Sequence, residues 1–179
     1  VLFFNEFFLN FLFFNENFSI NVSIVYVKTF VIILTFFILI LSLEFFKYEK
    51  FQLFEYPFLL ILSVLSMFFL LLSNNFFVFY LSLELQSFCF YILCSIRRYS
   101  NLSIEASLKY FILGSFASSL FLFGISLLYG FFGTLVFTNI EFLLFSIDVF
   151  IDYNKFVIFG MIFILAGFFF KLGIVPFHF

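Results

Sequence analysis

Charge is the scarcest property of this sequence. Only 10% of its 179 residues are Asp, Glu, Lys or Arg, while 66% are hydrophobic. A soluble domain carries roughly 25% charged residues. A soluble fold of this length could not hide so much apolar surface and still show water a polar exterior. The net charge is −2, so no basic surface points to nucleic acid. Cysteine is nearly absent too. Cys89 and Cys94 lie inside an apolar run and read as packing or lipid-facing residues, not a metal pair or a disulfide. No short basic stretch precedes a small-residue cleavage site, so no removable signal is expected. Two prolines and a single histidine complete the list of scarce residues.

What is present is hydrocarbon. The whole chain reads as embedded in a membrane, an all-α polytopic bundle of about five transmembrane helices. The apolar residues are themselves biased: 41 are phenylalanine and none is tryptophan. Hydrophobic demand explains apolar residues, but not Phe over Ala, Val or Gly. The excess of Phe, Ile, Leu, Tyr, Asn and Lys fits a very AT-rich coding sequence, as in organellar genomes.

Residues 1–24 are apolar but broken by Asn5, Glu6, Asn10, Asn15, Glu16 and Asn17. An interfacial helix or loosely ordered arm is expected there. The membrane domain, 25–179, is expected to hold spans near 25–46, 57–72, 76–95, 104–129 and 156–178. Lys28 can snorkel from the first. Pro57 suits the first turn of the second. Ser103 is the expected N-cap of the fourth, with Glu105 favouring its first turn. Gly114 with Ser118, and Ser115 with Ser119, have the small-xxx-small spacing that lets a second helix come close. A short amphipathic helix is expected around Asn139–Ile147. With five spans, Lys47, Lys50, Arg97 and Arg98 share one side and Lys28 and Lys155 the other. The positive-inside rule puts the first group in the matrix or cytoplasm.

Three ionisable residues stand within the spans: Glu84, Lys109 and Lys171. A charge at the bilayer centre costs about 2.5–3.5 kcal/mol even on the lenient scale. Such groups face protein or a hydrated cavity, and mark ion pathways by default. Each also has a plainer reading. Lys109 lies near a helix start and could reach the headgroups. Glu84, with Tyr80, Ser82, Gln86 and Ser87 close by, could be a neutral acid in a helix contact. Lys171 could snorkel if its helix ended there. Gly173 and Pro176 do suggest an interruption, and a break at membrane depth is tolerated only against protein or water. His178 alone is a weak signal. A Glu and a Lys in one bundle make a proton device. Together each supports the other's charge; apart, low dielectric drives each towards its neutral form.

Three blocks share a wider pattern: "FYLSLELQSFCFYILCS" (79–95), "SIEASLKYFILGSFASSLFLFGISLLYGFFGTL" (103–135) and "GFFFKLGIVPFHF" (167–179). They resemble consecutive parts of the antiporter-like subunits of respiratory complex I, NADH:ubiquinone oxidoreductase, and most of all its subunit 2 branch. The resemblance implies half of an antiporter-like inverted repeat, with the last helix broken. It implies a proton-relay role for Glu84, Lys171, Lys109 and His178, with the helix break at Gly173 and Pro176. It places no cofactor on this chain; NADH, FMN, iron–sulfur clusters and ubiquinone are expected on other subunits. The implied setting is the mitochondrial inner membrane, among other membrane-arm subunits and lipids. The family continues beyond "PFH" with further helices. The expectation is therefore the N-terminal half of a split subunit 2, completed by a separate C-terminal half, with a fragment of a longer chain as the alternative. A multi-subunit cation/proton antiporter and a purely structural membrane subunit are the competing functions.

Overall fold

The computed structural model describes residues 11–13, 17–49, 55–97, 99–146 and 153–174. These residues form six helices and a short two-stranded ribbon: β1 (Phe11–Phe13), β2 (Phe18–Ile20), α1 (Val22–Glu49), α2 (Glu55–Leu72), α3 (Phe76–Cys94), α4 (Asn101–Phe132), α5 (Phe137–Ser146) and α6 (Tyr153–Leu172). Five of the described helices, all but α5, are long and apolar enough to cross a membrane. Their outer faces carry exposed Phe30, Phe36, Phe58, Ile112 and Phe156. The apolar residues run round the helices instead of gathering on one stripe, which suits lipid outside and protein inside.

Lipid offers no hydrogen bonds, so every span must satisfy its own polar groups. The serines do this by bonding back along the helix. Ser63 Oγ donates to Leu60 O at 2.7 Å, Ser66 Oγ to Ser63 O at 2.6 Å and Ser118 Oγ to Ser115 O at 2.9 Å.

The N-terminal segment differs from expectation. Its described part is an antiparallel ribbon, not a helix, pairing Phe11 with Ile20 and Phe13 with Phe18. Aromatic and β-branched residues favour that form, and the scattered Asn and Glu deny a helix a continuous apolar face. The ribbon is tied to the bundle at one end. Asn74 N–H donates to Asn17 O at 2.8 Å, and Asn75 Nδ2 to Asn17 Oδ1 at 2.9 Å. Phe76 N–H reaches Leu135 O at 3.1 Å and Phe137 N–H reaches Asn74 O at 3.0 Å, which joins the α2–α3 turn to the α4–α5 loop.

The start of α4 also differs. Ser100, not Ser103, is the N-cap, and accepts from Ser103 N–H at 3.3 Å. Ser103 Oγ donates instead to Cys94 O at 2.6 Å, which ties the start of α4 to the end of α3. Both serines suit a cap; the tie to α3 takes Ser103. Lys28 turns inward as well, its Nζ 5.8 Å from the centre of the Phe68 ring on α2.

The core lies between α4, α5 and α6. Phe121, Ile125, Leu128 and Phe132 of α4 meet Ile140 of α5 and Val157 and Ile164 of α6. The closest approach is between α4 and α6, and glycine allows it. A Cβ on Gly124 would lie 2.7 Å from Gly160 O; one on Gly167 would lie 2.8 Å from Ala117 O. Ala117–Gly124 and Gly160–Gly167 are each one heptad apart, so the small residues recur on one face of both helices. Of the four positions the sequence singles out, Gly114 and Ser118 are buried, but Gly114 lies against the Tyr91 ring of α3 and not in this seam. Ser115 and Ser119 point outward.

Candidate functional site: an ion pair between two spans

Glu84 sits near the middle of α3. The helix starts with Asn75 as N-cap, whose Oδ1 accepts from Phe77 N–H at 2.9 Å. The hydroxyls near Glu84 are not spent on its carboxylate. Ser82 Oγ donates to Phe79 O at 2.7 Å and Ser87 Oγ to Glu84 O, the main-chain oxygen, at 2.9 Å. The carboxylate has a different partner. Lys171 Nζ donates to Glu84 Oε1 at 3.3 Å. Both side chains are largely shielded, 16% and 17% exposed.

The approach of Lys171 is set by α6 from two directions. Laterally, the glycine seam on α4 fixes which face of α6 turns towards α3. Phe168, three residues before Lys171 and so on nearly the same face, packs 6.1 Å from Phe79 of α3. Axially, the helix stops one residue after Lys171. Gly173, at φ 64°, donates to Phe170 O at 3.2 Å, and Ile174 N–H to Phe169 O at 3.1 Å. This is a Schellman cap, in which glycine takes the left-handed position at no steric cost. Lys171 is then in the last turn, where the helix dipole favours a cation. A pair at this spot meets both halves of its need: an opposite charge and a negative helix end.

Lys109 stands apart from the pair. Its Nζ donates to Glu105 Oε1 at 2.6 Å, one turn back on α4, and both side chains are exposed on this chain, 69% and 60%. Since α4 starts at Asn101, Glu105 lies beyond the first turn; its charge serves Lys109 and not the helix start. A cavity of 520 Å³ nevertheless joins Lys109 to Lys171, with Ala106, Tyr110, Leu113 and Gly173 on its wall. A second cavity of 310 Å³ also borders Lys171, lined by Gln86, Ser87, Tyr110 and Phe168 among others. Lys171 borders both. Of the expected site residues, Glu84 and Lys171 are brought together, Lys109 is linked by a cavity, and Gly173 forms the break. Pro176 and His178 lie outside the described residues.

Two aromatic residues escaped the sequence reading. Tyr110 borders both cavities. Tyr91 is buried and packs edge-on against it, ring centres 4.7 Å apart. In a chain so rich in rings, composition offers no way to single them out. Their nearness to Glu84 and Lys109 in sequence is the one available signal.

Residues 73–179, well over half of the chain, match the family described as NADH:quinone oxidoreductase/Mrp antiporter, TM. The chain belongs to this family. Its relatives include NADH-quinone oxidoreductase subunit N of Bartonella bacilliformis, 40% identical over 153 residues, covering 86% of this chain and 31% of the relative. NADH-ubiquinone oxidoreductase chain 2 of Marchantia polymorpha is 38% identical over 142 residues, covering 78% of this chain and 29% of that one. This member of the family therefore spans about a third of the length of the curated relatives it matches. Among solved structures, respiratory complex I from Thermus thermophilus with bound aureothin aligns with TM-score 0.57 at 30% identity, covering 70% of this chain and 26% of the other. The membrane-bound sulfane sulfur reductase, an archaeal respiratory membrane complex, aligns with TM-score 0.62 at 27% identity, covering 69% and 24%. The antiporter-family fold is thus a multi-pass helix bundle, and Glu84 and Lys171 both fall inside its matched region.

Proposed function

We propose that this chain is part of a proton-translocating membrane-arm subunit of complex I, related to subunit N and chain 2, with the Glu84–Lys171 pair as one switch of its half-channel. The observation that carries the reading is the pair itself: two opposite charges, from helices far apart in sequence, joined at 3.3 Å inside an apolar bundle. Closed, the pair holds both charges. When Lys171 moves off, neither charge has its partner inside the apolar bundle, and an unpaired charge there is costly. A proton handed on by the pair must enter and leave through water on different sides of it, so the relay leaves no net chemistry on the chain. Lys109, across the 520 Å³ cavity, is the next cation in line.

Redox chemistry has no part in this reading of the chain. NADH, FMN, iron–sulfur clusters and ubiquinone belong to other subunits, which drive the switch through the membrane arm. The phenylalanine excess supports a mitochondrial inner-membrane setting. The chain spans about a third of its relatives' length, and its intact mass in the native complex measures its full extent. The matched family also takes in Mrp antiporters. That keeps a cation/proton antiporter as the second reading, and it comes first if no redox subunits co-purify.

The test is Glu84→Gln in the native complex, reconstituted in liposomes. Protons moved per electron fall if the pair is a channel switch. An unchanged ratio in a fully assembled complex removes the channel reading and leaves a structural subunit.

A further inference from the structure

The two cavities beside the ion pair share a wall. One contains Lys109, the other Ser87 and Gln86, and both are bordered by Lys171 and Tyr110. At 520 and 310 Å³ each has room for several waters, since a water needs only about 10–15 Å³ of such volume. Water can therefore stand in both cavities beside Lys171, and Tyr110 and Leu172 are, with Lys171, the side chains that line both.

Tyr110 is placed to act as a leaf. It lines both cavities and is 41% exposed, whereas its neighbour Tyr91 is 7% exposed. Tyr91 is a fixed post. Its ring is held edge-on by Phe111 as well, at 5.6 Å, and the end of its ring lies against Gly114, where any side chain would collide. Tyr110 leans edge-on against this post at 4.7 Å and 89°. In an edge-on pair only one flank of the ring is held, so Tyr110 can swing off its post.

We propose that Tyr110 gates water between the Glu84–Lys171 pair and Lys109. With the leaf shut, Lys171 exchanges protons with one cavity at a time. With the leaf open, a continuous file of water runs from the pair to Lys109. This makes Tyr110 a positioning residue that acts through water and Lys171, and it rests on the proton-channel reading.

Three variants in the reconstituted native complex test it. Tyr110→Phe keeps the ring and retains wild-type coupling. Tyr110→Ala removes the wall; passive proton leak rises severalfold and protons moved per electron fall, while electron transfer in the presence of an uncoupler is unchanged. Tyr110→Trp thickens the wall and lowers protons per electron without added leak. Leak that rises in Ala but not in Trp separates a gate from mere loss of packing, which would move both variants alike. Wild-type leak and coupling in both Ala and Trp overturn the gate. If Tyr110→Ala does not assemble, Tyr110→Trp still decides. Glu84→Gln, run beside them, separates the two claims: no effect there removes the channel reading, whereas an effect there with silent Tyr110 variants removes only the gate.

Discussion

Gly124 of α4 and Gly160 of α6 meet backbone to backbone, with no side chain between them. The contact lies well away from the ion pair along α6, yet it governs the pair. It sets how closely and at what rotation α6 lies on α4, and so where the last turn of α6 delivers Lys171.

A methyl group at this seam is the first test. A Cβ on Gly124 would stand 2.7 Å from Gly160 O and 2.9 Å from Ile164 N, both main-chain atoms that cannot step aside. Gly124→Ala is expected to cost about 1–3 kcal/mol, the usual penalty of overpacking. The melting temperature of the assembled complex should fall, and coupling with it. Gly130→Ala is the control, because nothing lies within 4 Å of a Cβ there. Equal melting for the two variants would mean that the seam is not as close as described.

The end of α6 offers a graded test. Gly173 has φ 64°, a region that costs an ordinary L-residue about 1–2 kcal/mol. Gly173→Ala is expected to shift the helix end and draw Lys171 away from Glu84, lowering protons moved per electron. Gly173→Asn, which tolerates the left-handed region, should lie between Ala and wild type. If Ala and Asn behave alike, the cap does not position the lysine.

The two lysines should fail differently. Lys171→Met leaves the Glu84 carboxylate shielded and unpaired, a loss of about 3 kcal/mol for a buried pair broken on one side. Assembly should drop. Lys109→Met leaves only Glu105, whose side chain is 60% exposed on this chain. Assembly should hold while pumping falls. Complex yield on a native gel, set beside proton-to-electron ratios, reads both. Equal yields for the two variants would contradict the difference in burial.

Much of this was legible in the sequence, for physical reasons. Long apolar runs between charged turns mark spans strongly, so five crossings and the short helix after Gly133 could be placed. An ionisable residue inside such a run is costly enough to stand out, which is why Glu84 and Lys171 could be named before their 3.3 Å contact was seen. Choices between equivalent local signals were not legible. Ser100 and Ser103 both suit a cap, and only the bond from Ser103 to Cys94 O decides between them. Small residues were visible, but which of them meet depends on helix rotation. Ser115 and Ser119 face outward while Gly124, Gly160 and Gly167 make the seam. The ribbon of Phe11–Phe13 and Phe18–Ile20 was missed because short apolar runs fit a strand or a helix equally well. Tyr110 was hidden among rings, since its role depends on cavities that no linear pattern records.

The central claim is that Glu84 and Lys171 work as a pair, and a charge swap tests it most directly. Protons moved per electron are measured in the reconstituted complex for Glu84→Lys, for Lys171→Glu and for the double exchange. The pair predicts that each single variant, with two like charges face to face, assembles poorly and loses coupling, and that the double exchange recovers assembly and part of the coupling. A double exchange no better than the sum of the two single losses would contradict it.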